Sequence, residues 1–316
     1  MAHRLLPLLP SLLIAGWSSV MAQQAYPTRP VTVIIPYTAG GNTDVMARAF
    51  LDIMQRTTGM QTVVVNRDGG GGTLGFSVLK SSAPDGYTVV FSPSSPLSSA
   101  PHLIKKLPFV SADFVPICQV FENIYAIAVA PNSKYKTLAA LLDDIKARPG
   151  AVSFATAGIG SIGHLAGEDF ARAQGVKILH VPFRGDGQMV PQVLGGQVDF
   201  AVAGMGSAAT SMRPLAVFSD TRIPFLPAVP TMAELGLPSS PPGYQGLFAP
   251  KGTPPNVIAT LEKNCASVAT SEAFKAAGAR QWQKVHYVDG AGFAKRIAAD
   301  YEYKGRVIKE VGIAAE

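Results

Sequence analysis

The sequence predicts an α/β protein built as two lobes over a ligand cleft. Three observations predict it. Short apolar runs alternate with segments of helical period along the chain, a pattern of α/β architecture with mainly parallel sheets. Two such blocks, 27–122 and 131–210, follow one another, and the helical segments beyond them have no sheet of their own. Each block contains a strand that runs through small residues straight into a helix, "VTVIIPYTAGGNTDVMARAF" (31–50) and "VSFATAGIGSIGHLAGEDFARAQG" (152–175).

The elements follow in order. Val31-Thr32-Val33-Ile34-Ile35 is a β-branched run with little polar alternation, as suits a strand covered on both faces. Further strands are predicted at 62–65, 87–91, 115–120, 124–130, 152–155, 178–181, 199–203, 214–218 and 244–249. Helical period appears near 43–57, 73–82, 137–147, 163–173, 187–194, 254–269, 271–278 and 291–312. "RDGGGGT", "APDGYT", "ARPGA" and "PSSPPG" supply the turns. The economical arrangement joins two lobes by crossovers near 121–130 and 211–220. One lobe takes 23–122 and 221–316, the other 123–220. A cleft between lobes implies a hinge that closes on a ligand.

The first residues bear on location. His3 and Arg4 precede a mostly apolar stretch, Leu5 to Ile14, and Ser18 to Ala22 offer small residues at cleavage spacing. This reads as a secretory signal peptide over 1–22. Pro7 and Pro10 make the stretch too short and too broken for a membrane anchor. No Cys stands at the cut, which argues against a lipid anchor. The expected location is the periplasm.

Composition narrows the function classes. Charged residues are 15% of the chain and hydrophobic ones 47%, with a net charge of +6. The basic residues are scattered, and Lys105-Lys106 and Lys134 to Lys136 carry no aromatic interleaving, which argues against nucleic acid. A mild positive field gathers small anions. Cys118 and Cys265 can pair in an oxidising compartment. Their apolar contexts, "VPICQV" and "IATLEKNCASV", favour two buried free thiols.

The two strand–loop–helix units carry the chemistry. Asn42 or Thr43 can cap the first helix and Ser161 the second. Free backbone N–H groups at each helix start make an anion site. If the lobes face each other, the two loops form a pincer around an anionic group. Each helix dipole contributes roughly 0.3–1 kcal/mol to holding it.

"YPTRPVTVIIPYTAGGNTD", "VVVNRDGGGGTLGF", "APDGYTV", "GIGSIGHLAGEDF", "HVPFRG", "LGGQVDF", "PTMAEL" and "GLFAPKGTP" occur in this chain in that order. Together they resemble the Bug family, the periplasmic solute-binding receptors of bacterial tripartite tricarboxylate transport systems. The resemblance implies a two-lobed Venus-flytrap fold. It implies a carboxylate held, partly through ordered water, between Tyr37, Ala39, Gly40, Gly41, Asn42, Thr43 and Asp44 on one loop and Ala157, Gly158, Ile159, Gly160, Ser161 and His164 on the other. It implies two membrane subunits as partners, no cofactor, and a monomeric binding protein rather than an enzyme. Ser92 and Ser95, in "FSPSSPLSS" at another strand end, are further candidates, since ligands gather at such ends.

The chain departs from the family pattern after "GGQVDF". An Asp or Asn is usual near Ala203 or Gly204, and "AVAGMGS" stands here, followed by a shortened "AATSMRPLAVF". The small residues at Gly204 point to an acid bulkier or less polar than an amino acid or malate, an aromatic one included.

Other chemistries fare worse. Ser161 and Ser207 lack the Gly-x-Ser-x-Gly elbow of a hydrolase, with Ile159 and Met205 at its first glycine. His164 and Glu168 share a helix face without a third ligand or a two-histidine zinc signature. "DGGGGTLG" lacks the Gly-Lys-Ser/Thr ending of a phosphate loop and reads as a turn at a helix start near the cleft. Asp44 fits either a loop-holding or a ligand role, and Arg184 in "VPFRGD" can pair with a second ligand carboxylate or with an acidic residue between the lobes, the structural pairing being preferred. The class that competes with a transport receptor is a receptor that signals to a membrane sensor through the same cleft.

Overall fold

The computed structural model describes residues 26–223, 226–237, 239 and 241–313. The expected signal peptide lies outside them. The strands are β1 (Val31–Ile35), β2 (Thr62–Asn66), β3 (Thr88–Pro93), β4 (Phe114–Asn123), β5 (Tyr125–Val129), β6 (Ser153–Thr156), β7 (Leu179–Pro182), β8 (Phe200–Gly204), β9 (Arg213–Val217), β10 (Gly243–Pro250) and β11 (Lys284–Asp289). The helices are α1 (Asn42–Thr58), α2 (Thr73–Lys80), α3 (Ser95–Ser98), α4 (Ala100–Leu103), α5 (Leu138–Ala147), α6 (Ile162–Ala173), α7 (Asp186–Leu194), α8 (Met205–Ser211), α9 (Pro255–Ala269), α10 (Glu272–Arg280) and α11 (Gly290–Val311).

Two sheets form two lobes. The first has the order β11-β4-β10-β3-β1-β2, the second β7-β6-β8-β5-β9. The inner strands of each sheet are buried on both faces, their alternate side chains packing into a core on either side. In β1, Val31, Val33 and Ile35 join Phe50 and Met54 of α1 in one core, while Ile34 meets Phe76, Phe248 and Phe293 in another. In β5, Ile127 and Val129 pack toward Phe154 and Phe170, and Ala126 and Ala128 toward Met189 and Met205.

The sheets are mixed rather than mainly parallel. β1 is parallel to β2 and β3, and β6 to β7 and β8. β10 and β5 are antiparallel to their neighbours. The reason is the crossover. β4 ends at Asn123 and β5 begins at Tyr125 in the other sheet. A strand that arrives from the opposite lobe enters at the cleft and runs away from it, whereas βαβ strands end there. The C-terminal ends of β1, β3, β6 and β8 therefore all face the cleft, the usual place for a ligand in such sheets.

The return crossover differs from the one expected near 211–220. Ile223, Met232 and Leu237 pack in the second lobe's cores, and the chain rejoins the first sheet at Gly243. β11 was absent from the sequence reading. It pairs with β4 at the sheet edge, so the C-terminal helices do bring a strand with them. Its half-exposed "KVHYVD" lacks the continuous apolar run that marks the inner strands.

Cys118 and Cys265 form a disulfide, not two free thiols, with Cα atoms 6.6 Å apart. Both cysteines are fully buried between β4 and α9. An apolar context is as compatible with a buried bridge as with a buried thiol, so the flanking residues could not separate the two.

Candidate functional site

The first loop turns from β1 into α1 through Gly40, whose φ of 77° is open to glycine at little cost. Neither Asn42 nor Thr43 caps α1. The N-cap is Gly41, with no side-chain hydrogen bond to the helix. Asp44 braces the loop from beneath. Its Oδ2 accepts from the Gly40 N–H and from Arg48 Nε, both at 2.9 Å, and its Oδ1 accepts from Asn66 Nδ2 at 2.9 Å. Burial pushes the Asp44 carboxyl up, but these donors outweigh it and hold it below the usual range. Tyr37 is buried and donates its hydroxyl to the Gly71 carbonyl at 2.8 Å.

The second loop is capped as expected: Ser161 Oγ accepts from the His164 N–H at 3.3 Å. Behind it stand two stacked imidazoles, His164 and His180, with ring centroids 4.1 Å apart. His164 Nδ1 accepts from the Gly160 N–H at 3.2 Å, and His180 Nε2 lies 2.7 Å from Thr156 Oγ1. Burial lowers His164 to about 4; burial and the neighbouring His164 lower His180 to about 3. Both rings are neutral at neutral pH. Glu168 lies 3.9 Å from His164 Nε2, and no three metal-ligating side chains group together among the described residues.

The loops meet around a cavity of about 20 Å³, room for about one water. Of the sequence candidates, Tyr37, Gly41, Asn42, Thr43, Ala157 and Ser161 line it. Ala39 and Gly40 are exposed and face an outer groove with Val190 and Gln281. Ser92 donates to the Pro93 carbonyl at 2.9 Å, and Ser95 is buried with its Oγ unpartnered. Gly158 and the Ile159 carbonyl pack against Gly71, and Gly160 packs against Ala100. The Ser99 hydroxyl also donates to the Gly160 carbonyl. The "DGGGGT" turn is thus a contact surface between the lobes.

Gly204 does not open space. A Cβ built there would lie 2.9 Å from both amide atoms of Asn123 and 3.1 Å from Asn42 Nδ2. The two asparagines supply the polar wall that "AVAGMGS" lacks, which removes the basis for a bulky, apolar ligand. Arg184 is exposed, and only its backbone N–H is engaged, by Gln188 Oε1 at 3.1 Å; its side chain makes no ion pair among the described residues.

Pro93, Asn123, Tyr125 and Asp186 line the cavity and were missed from the sequence. Asn123 had a signal, as a polar residue between the apolar runs "VPICQVF" and "IYAIAV". Asp186 follows Gly185 at the start of α7, where a carboxylate reads as ordinary helix-start charge. It is buried, and Ser207 Oγ donates to its Oδ2 at 2.7 Å. Asn42 Nδ2 and Asn123 Oδ1 are buried without a partner, a condition that native sites relieve with water or ligand.

Two α/β lobes with anion-ready helix starts facing across a closed cleft define a periplasmic solute-binding receptor. The chain belongs to the tripartite tricarboxylate transporter family receptors (TctC), whose pattern it matches over residues 46–313. It is 39% identical to Protein BugT of Bordetella pertussis over 279 residues, 84% of this chain and 85% of that protein. The structure of periplasmic binding protein BugD matches it with a TM-score of 0.87 at 29% identity, covering 92% of this chain and 100% of the other. A binding protein of R. palustris solved with adipate matches with a TM-score of 0.87 at 26% identity, over 92% and 100% of the two chains. The resemblance read from eight motifs and the two-lobed fold are thereby confirmed.

Proposed function

We propose that this receptor holds a small organic carboxylate between its lobes and delivers it, as a monomer, to the two membrane subunits of a tripartite transporter. One observation carries the reading. The N-terminal turn of α1 on one lobe and that of α6 on the other open onto the same cavity. A carboxylate there accepts charge-assisted hydrogen bonds from both, each stabilising by about 1.5–3 kcal/mol. The side chains add polar atoms in need of partners. The closed cavity is too small for a multi-carbon acid, so the lobes must part to admit one and re-close around it less tightly than in this structure.

The polar wall of Asn42 and Asn123 favours an aliphatic acid over an aromatic one. The adipate-bound relative supports an aliphatic acid. A thermal-shift screen across aliphatic and aromatic mono-, di- and tricarboxylates tests this, because a ligand that binds only the folded state raises Tm. Aliphatic acids should give the larger shifts. Shifts from aromatic acids alone would remove the aliphatic preference, and shifts from none would remove the carboxylate reading. Loss of uptake on deleting the receptor, restored by the intact chain, tests delivery.

A further inference from the structure

The cavity contains a carboxylate of its own. Asp186 is 9% exposed and lines the same cavity as Asn42, Thr43 and Ser161. It comes from the second lobe, yet a Cβ built on Gly41 of the first lobe would lie 3.3 Å from its own Cβ. Ser207 holds one of its oxygens at 2.7 Å. A ligand carboxylate seated at the two helix starts therefore has an acidic neighbour within the same small space. Two carboxylates at contact repel. The part of the ligand that faces Asp186 must then be a hydrogen-bond donor and not a second anion. Asn123 Oδ1, buried and unpartnered, is a further acceptor in that cavity. Asn42 Nδ2, also unpartnered, is a donor suited to the ligand's carboxylate. The cavity thus offers donors at the helix starts and two acceptors, one of them charged, beside them.

We infer that the ligand is an amino acid, its carboxylate held at the helix starts and its ammonium by Asp186 and Asn123. This rests on the carboxylate reading and narrows it. Asp186 is then the residue that sets specificity. Burial pushes its carboxyl up in the protein alone, and a bound ammonium favours the ionised form, so affinity for an amino acid falls as pH is lowered.

Calorimetric titration of the full mature chain with matched acids of three to six carbons, each unsubstituted, hydroxylated or aminated at the α-carbon, is the test. At the best chain length the amino acid should bind at least about tenfold tighter than its unsubstituted counterpart. Asp186→Asn keeps the shape and the bond from Ser207. It should weaken the amino acid by about tenfold or more and tighten the unsubstituted acid. Ser207→Ala, which leaves the carboxylate in place, should shift both in the same directions by less, a check should Asp186→Asn fold poorly. Equal or tighter binding of unsubstituted acids by the native chain would overturn the inference and leave the carboxylate reading standing. So would an Asp186→Asn variant that weakens every acid alike, since that marks a structural role. Failure of all these acids, aminated or not, would overturn both.

Discussion

Gly71 of the first lobe sits against the carbonyl oxygen of Ile159 of the second, so closely that a Cβ on Gly71 would overlap that oxygen. Gly71 also has a φ of 62°, in the left-handed region. The closed cleft thus depends on a missing side chain at the lobe contact.

Gly71→Ala should hold the lobes apart while leaving each lobe folded. The left-handed φ adds strain of about 1 kcal/mol, but the overlap with Ile159 exists only on closure. Ligand affinity should fall by about tenfold or more, with Tm of the unliganded protein lowered by only a few degrees. Scattering should show the native chain compacting on ligand and the variant failing to. A variant that binds and compacts normally would exclude this contact as the closing surface.

The Cys118–Cys265 bridge closes a separation of 147 residues between β4 and α9. Chain entropy sets a ceiling of about 5 kcal/mol for such a loop, and about 2–4 kcal/mol is the common yield. The double Cys→Ala variant should lose about that much in denaturant melts while still binding ligand, because neither cysteine is near the cavity. Loss of binding by a folded variant would show that the bridge also sets the cleft.

The stacked His164–His180 pair makes the second lobe sensitive to mild acid. Both folded-state values lie below the ordinary one, at about 4 and about 3. The unfolded chain therefore takes up protons first. Stability is full above about pH 6.5 and falls with pH from there toward 4, by up to about 1.4 kcal/mol per pH unit for each ring. His180→Phe keeps a ring against His164 and removes one titrating group. Its stability should decline less steeply between pH 6.5 and 4, as measured by melts across that range. An unchanged slope would locate the acid sensitivity elsewhere.

Glu122 acts lower on the pH scale. It is buried at the end of β4 and meets Arg296 at 2.7 Å, His286 at 2.8 Å and Lys284 at 3.0 Å. Burial alone raises its carboxyl, and these three partners outweigh it and bring it to about 2. Its contribution is present above about pH 4.5 and is lost as pH falls toward 2. Glu122→Gln should cost about 1–3 kcal/mol at neutral pH and loosen β11, which carries two of the three partners. Faster amide exchange along Lys284–Asp289 reports the loosening. Unchanged exchange would show that β11 is held by its ladder alone.

Much of this was legible along the chain. The apolar run of β1 and the period of α1 are local properties, as is the Ser161 cap, whose hydroxyl reaches a donor three residues away. The small-residue loops marked both halves of the cleft for the same reason. The sheet directions, by contrast, depend on where the chain crosses between lobes, and β11 depends on an open edge of β4.

By itself the sequence determined two lobes and two anion-ready helix starts, because hydrophobic period, turn residues and caps act over a few neighbouring residues, and the resemblance of eight motifs in register pointed to a family. Only the tertiary structure decided that Asn123 fills the wall beside Gly204, that Asp186 faces Gly41 across the cleft, and that Cys118 finds Cys265. Each of these joins residues far apart in the chain. Period tells which face of an element a residue occupies, but what that face meets is settled when the lobes pack.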